Sequence, residues 1–237
     1  APGGGWRAGL RYISPGINRW GEPVLSTVRA HFWFKCFGTM GFTLVFFAAY
    51  IYLLKNPASQ VLVMPLTVFD HWVGFEPWAL PVYLSLWVYV SLPPMFMRTR
   101  REILRYGVWI GSLCLVALGI FYLWPNAVPP ANIDWARYPG VAFLKGVDAA
   151  GNACPSLHVA TAVFSGFWLH WLLPTVGLGG RTRLTSAVWC TAIAYSTMAT
   201  KQHVALDVAA GAALGFTLAW LSRASTRQLA FSSVAAH

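Results

Sequence analysis

The chain reads as an all-α, polytopic membrane protein, a bundle of six transmembrane helices with both termini in the cytoplasm. Three observations predict this. Of 237 residues, 57% are hydrophobic and only 10% charged, against about 25% charged in ordinary soluble domains. Cys36–Leu54, Pro77–Met97 and Tyr106–Ile133 carry no charge at all, and each is long enough to cross a hydrocarbon core of about 30 Å as a helix. The Lys and Arg residues, finally, gather at alternate ends of the apolar stretches. A large soluble helical protein needs neither such runs nor 13 Trp, 15 Phe and 9 Tyr.

Taken in order, residues 1–30 are rich in Gly, Pro and Arg and lack the apolar core of a signal peptide. "EPVLSTVRAHFWFK" (22–35) reads equally as an interfacial helix or a juxtamembrane linker. Spans are expected near 36–54, 77–97, 106–124, 156–174, 184–200 and 203–222. Among acidic and basic residues the last three carry only His158, His170, His203 and Asp207. Residues 1–35 then form a cytoplasmic or interfacial segment, 36–222 one six-span domain, and 223–237 a cytoplasmic tail.

With the N-terminus inside, Arg7, Arg11, Arg19, Arg29, Lys35, Arg98, Arg100, Arg101, Arg105, Arg181, Arg183, Arg223 and Arg227 are cytoplasmic. Only Lys55, Arg137, Lys145 and Lys201 lie outside, a split of 13 to 4 that sets the orientation. The net charge of +10 is therefore a topology signal with some attraction to anionic lipid. It does not make a nucleic-acid surface, because the arginines scatter over separate helix ends. Cys36, Cys114 and Cys190 fall inside spans and Cys154 stands alone in a loop; no metal or disulfide spacing is present. The expected location is a bacterial inner (plasma) membrane, with the site facing the periplasm or exterior.

The outside loops are long. The first, 55–76, contains "TVFDHWVGFEP", whose Asp70, His71 and Glu76 read first as solvated or helix-capping groups. The second, 125–155, has prolines and glycines enough to rule out a continuous helix, and its length favours a functional loop. It delivers "CPSLH" to the start of the fourth span, where Ser156 is the expected N-cap and the helix N-terminus suits an anion.

Topology thus puts His158, His203 and Asp207 on one side, with Lys201 beside them. Asp207 follows His203 by four residues, which on a helix sets the carboxylate one turn from the imidazole. A structural ion pair is the plain reading of that pair. Ionisable groups inside spans are costly and usually functional, and three together suit transfer at phosphorus. One imidazole attacks, the carboxylate orients it, the second imidazole serves as acid and base, and a lysine with a helix end neutralises oxyanions. A proton relay fits the same residues.

"CPSLHVATA" (154–162) resembles the second signature of the type 2 phosphatidic acid phosphatase (PAP2) superfamily, with its Pro-Ser-x-His core. "STMATKQHVALDVAAG" (196–211) resembles the third, matching at Ser196, His203 and Asp207. "TVFDHWVGFEPW" and "YLS" look like the branch containing inositol phosphorylceramide synthases, so the resemblance covers roughly 65–222. It implies a PAP2-type six-span bundle in which His203 is the nucleophile, Asp207 its partner and His158 the acid or base. The substrate would be a lipid phosphate in the bilayer, an acceptor alcohol an optional partner, and no cofactor or metal would be required.

Two departures stand out. Thr197 replaces the third-signature arginine, and the Lys-x6-Arg-Pro first signature is not recognisable. Phosphate-binding groups must then come from Lys201 and Ser156, with Arg137 and Lys145 behind them. Such weakening occurs in the branch that moves phospho-headgroups between lipids. Elsewhere, "GAALG" (211–215) is a small-x-x-x-small face for close helix packing. His170 lies about 18 Å along the helix from His158, at the opposite end. Tyr83 and Ser85 read as packing residues or as part of a lipid groove. The rival function is a lipid-binding or proton-coupled transport protein using the same polar cluster, but the broken helices in matched halves that transport favours are missing.

Overall fold

The computed structural model describes residues 22–142 and 151–234. Its α-helices include α1 (Glu22–Arg29), α2 (Phe32–Lys55), α3 (Val68–Trp72), α4 (Leu80–Leu84), α5 (Leu86–Met95), α6 (Arg100–Leu123), α7 (Leu157–Leu172), α8 (Gly180–Ala199) and α9 (Ala205–Val234), and residues 139–142 are helical as well. Among the described residues, four segments are long and apolar enough to cross a membrane: Phe32–Lys55, Arg100–Leu123, Leu157–Val176 and Ala205–Ser225.

The expected second span, 77–97, is corrected. It is not one helix but a 3-10 turn (Pro77–Ala79) followed by α4 and α5. Pro77 and Pro81 fall at helix starts, where a missing N–H costs nothing. Pro93 and Pro94 lie in the last turn of α5, after which the helix stops at Met95. The expected fifth span is α8, 20 residues long, but Arg181, Arg183 and several Ser and Thr make it less apolar than the four. The 22–35 stretch forms α1 and the start of α2, broken at His31, whose backbone is left-handed.

The middle of the bundle is α7. Leu157, Ala160, Phe164 and Trp168 pack on Leu113, Cys114, Ala117 and Phe121 of α6 and on Leu218 and Ala219 of α9. Its other flank, through Ala162 and Leu169, meets Leu86 and Tyr89 of α5 and Ile193 of α8. Apolar side chains also face outward in number, among them Trp33, Leu44, Val108, Leu115, Leu123, Val188 and Trp220, a surface suited to lipid rather than water.

Polar features divide between the two ends. At one, Lys35 donates to the carbonyls of Thr27 and Met95, Arg98 to the Thr27 hydroxyl, and Arg183 contacts His170. At the other, the loops meet: β1 (Leu62–Val63) pairs in parallel with β2 (Asn126–Ala127), and Ala127 bridges to Gly151. That small lattice satisfies backbone groups of two connections next to an apolar bundle.

Helices α7 and α9 approach each other closely. A Cβ added to Gly211 would lie 2.4 Å from the Ser156 carbonyl oxygen, and one added to Gly215 would lie 2.3 Å from that of Ala160. Both obstacles are backbone, so neither can swing aside, and the packing reading of "GAALG" holds. Gly215→Ala should cost about 1–3 kcal/mol by overpacking. Gly119→Ala in α6, where nothing lies within 4 Å, should be neutral or stabilising by about 0.5–1 kcal/mol. Thermal unfolding in detergent micelles compares the two.

Candidate active site

The connection between α8 and α9 carries His203, and its shape follows from how α8 ends. The N–H of Lys201 donates to the Met198 carbonyl and that of Gln202 to the Thr197 carbonyl, each at 3.0 Å. This is a Schellman closure, with Lys201 in the left-handed position (φ 57°) that usually belongs to glycine. His203 therefore precedes α9 rather than lying on it, which corrects the expected one-turn helical spacing.

Three successive N–H groups at the start of α9 are held by three different parts of the chain. His203 N–H donates to the Thr197 carbonyl at 3.1 Å, and Val204 N–H to Asp207 Oδ2 at 3.0 Å. Ala205 N–H donates to Asp70 Oδ1 at 2.7 Å. Asp207, at N3, thus makes half of a capping box. The same Oδ2 lies 3.5 Å from His203 Nδ1, so a single fully buried carboxylate both starts the helix and faces the imidazole. That leaves Nε2 as the nitrogen away from the carboxylate.

His158 is on the first turn of α7. Ser156 caps that helix, its Oγ accepting from Val159 N–H at 3.3 Å, and its own N–H donates to the Asp207 carbonyl at 3.0 Å. Tyr83 stacks on the His158 ring at 4.2 Å, with its hydroxyl 3.4 Å from Nδ1, and Trp87 meets the ring edge-on. The two histidine rings lie 6.0 Å apart, centroid to centroid. Both rings border one cavity.

The other expected site residues divide. Lys201 Nζ donates to the Val73 carbonyl at 2.5 Å and lines a small cavity with His203. Ser156 is fully buried, with Oγ and N–H both engaged inside the protein. Arg137 is exposed on the 3-10 turn Trp135–Arg137 and borders neither of the two cavities at His203. Lys145 lies outside the described residues. Thr197 is buried, its hydroxyl spent on the Ala194 carbonyl at 2.8 Å. Tyr83 joins the groove side, whereas Ser85 accepts from the Trp189 indole. Among the described residues, no group of three or more His, Cys, Asp or Glu is placed to hold a metal ion.

Two contributors escape a reading of the sequence. Asn126 is buried and clamps Cys154: its Oδ1 accepts from Cys154 N–H at 2.7 Å while its Nδ2 donates to the Cys154 carbonyl at 2.9 Å. In a Pro-rich stretch an Asn reads only as a turn former. Asp70 caps α3 through Thr67, as expected, but it also reaches Ala205 across 135 residues of chain. Cys154 sits behind the site, where burial first, and then the negative charge of Asp207, pushes its thiol up to about 11.

A buried and a half-buried histidine at one end of an apolar helical bundle, with a carboxylate behind the buried one, define a class: a histidine site in a membrane protein. The PAP2 superfamily model matches residues 112–230, just over half of the chain and both histidine segments with it. The chain belongs to the PAP2 superfamily. Among curated proteins and solved structures, none matches it.

Burial opposes the charge on Asp70, but the Thr67 N–H and hydroxyl, the Ala205 N–H and the positive charge of Lys201 outweigh it and hold the carboxyl below its ordinary 3.8. Its contribution to stability is therefore complete above that value and is lost as pH falls through the lower folded-state value. Asp70→Asn should destabilise by about 1–3 kcal/mol at neutral pH. In unfolding curves recorded from pH 7 down to pH 3, the gap from the parent should narrow only at the acid end.

Proposed function

We propose that this protein is an integral-membrane lipid phosphatase or phosphotransferase that works through a phosphohistidine on His203. The observation carrying it is the pair of imidazoles 6.0 Å apart with Asp207 behind only one of them, in a chain of the PAP2 superfamily. All six apolar segments cross the membrane, with α4 and α5 together as the second and α8 as the fifth. Both termini are cytoplasmic, and the site faces the periplasm or exterior of a bacterial inner membrane. The basic residues at the opposite end of the bundle support that orientation.

The Asp207 carboxylate fixes the His203 tautomer with the proton on Nδ1 and Nε2 free to attack. Protonated His158 gives its proton to the leaving oxygen as the bond to phosphorus breaks. Neutral His158 then takes a proton from water or an acceptor alcohol, whose oxygen displaces the His203 nitrogen. Tyr83, stacked on His158, keeps that ring turned toward the gap. Lys201 supplies positive charge to the phosphoryl oxygens in place of the arginine that Thr197 replaces, and the scheme uses neither a metal nor a cofactor. A transport or lipid-binding role would use His203 and Asp207 but leave His158, held against two aromatic rings, without a task.

His203→Ala should reduce turnover of a lipid phosphate to background, and His158→Ala should lower it by about 10²–10⁴-fold. Acid-quenched protein should carry phosphate on His203; label on His158 instead would reverse the two roles. Unchanged turnover in His203→Ala would sink the enzyme reading. Lys201→Gly isolates the ammonium from the turn. Relief of the left-handed strain, about 1–2 kcal/mol, offsets the loss of a hydrogen bond worth about 1 kcal/mol. Thermal stability should thus hold while KM for the phosphate substrate rises.

A further inference from the structure

At the end of the bundle opposite His158 and His203, three helices bring a second group of polar side chains together. Arg183, near the start of α8, sets its Nε 3.3 Å and its Nη2 3.1 Å from His170 Nδ1 on α7. Arg223 of α9 lays its guanidinium over the neighbouring Trp171 ring, Cζ 4.6 Å from the centroid. Arg223 stands 18 residues after Ala205, about 27 Å along its helix, which is the far side of a hydrocarbon core of about 30 Å. Stacking holds the plane of Arg223 without using its N–H groups, and an imidazole accepts at one nitrogen at most, so Arg183 also keeps donors to spare. Among the described residues, no carboxylate pairs with either guanidinium. Glu102, an acid at this end, is engaged by the N–H groups of Arg98 and Thr99. Ordering two long side chains on ring faces costs rotamer freedom, and two cations side by side repel each other, so the arrangement asks for an anion.

The same helices continue the group as an apolar strip. Trp171 contacts Phe167 one turn back on α7, ring centroids 6.1 Å apart, and Phe167 meets Phe216 of α9 at 5.3 Å. Phe216 precedes Arg223 by seven residues, which puts both on one face of α9, and its ring is exposed. Two cationic forks thus stand at the polar boundary, and aromatic rings run from them toward the bilayer midplane. A small soluble anion would use the forks and leave the strip bare, whereas an amphiphile uses both. We propose that this surface binds one anionic phospholipid of the leaflet opposite the histidine site, with its phosphate on Arg183 and Arg223 and an acyl chain along Phe167 and Phe216. The planar guanidinium presents paired N–H donors at the spacing of two phosphate oxygens, and Trp171 is an aromatic of the kind that settles at headgroup level. In the orientation given above, that leaflet is the cytoplasmic one. The lipid here is a bound partner rather than a substrate, and its binding is independent of the phosphohistidine reading.

The test titrates the full chain in detergent micelles with dioleoyl phosphatidylglycerol or dioleoyl phosphatidylcholine and counts bound lipids by native mass spectrometry. A basic residue at an anionic membrane surface is worth about fivefold in affinity, so two should favour phosphatidylglycerol by roughly twentyfold. Arg183→Gln with Arg223→Gln should release one phosphatidylglycerol, and each single variant should weaken it by about fivefold. Arg181→Gln, which removes a charge from the same helix outside the group, should leave it in place, and Phe216→Ala should weaken it without altering the preference for the anionic headgroup. Glycerol 3-phosphate, a headgroup without chains, should compete poorly. A wild type with no preference between the two lipids overturns the proposal, as does an unchanged lipid count in the single and double arginine variants. An equal loss in Arg181→Gln would reduce the effect to net charge. Strong competition by glycerol 3-phosphate, with Phe216→Ala silent, would make the group a site for a soluble anion instead.

Discussion

The crossing of α7 and α9 at Gly211 and Gly215 is the constraint on which the site depends. With carbonyl oxygens of Ser156 and Ala160 standing where side chains would otherwise be, the two helices approach until the Ser156 N–H reaches the Asp207 carbonyl. That one bond sets the first turn of α7, and with it His158, in register with the first turn of α9. In a membrane there is little hydrophobic gain from pressing one apolar helix on another, so small residues and close backbone contact must hold them. Here the same contact also fixes the separation of two imidazoles.

The second requirement is that polar backbone next to lipid be satisfied internally. The start of α9 meets it with three donors held by three sources: the end of α8, Asp207 and Asp70. The approach to α7 meets it through Asn126, which pairs with both backbone groups of Cys154. Loops that look like plain connections are thereby tied to the site, and the parallel pairing of β1 with β2 ties them to one another. Lys201 accepts a left-handed backbone conformation, at a cost of about 1–2 kcal/mol, and its ammonium lies in the wall of the small cavity as a result.

His203 stands where two cavities meet: the larger is walled by apolar side chains and also borders His158, whereas the smaller is bordered by Asp70, His71 and Lys201 among apolar residues and does not reach His158.

The amino-acid sequence by itself determined the class and the chemical cast. Uncharged runs of helical length predict membrane helices, "GAALG" predicts the tight crossing, and His158, His203 and Asp207 are legible because ionisable residues are so rare in apolar runs. Ser156 as an N-cap followed from the proline before it and the periodic helix after it. What the tertiary structure decided depends on partners far apart in the chain. The use of Asp70 to start α9 comes from a side-chain hydrogen bond across 135 residues that local propensity does not encode. Asn126 is the clearest case: its sequence neighbours mark a turn, and only the return of the same loop 28 residues later makes it a clamp. The two cavities were invisible for the same reason, since an enclosed space belongs to no single segment of the sequence.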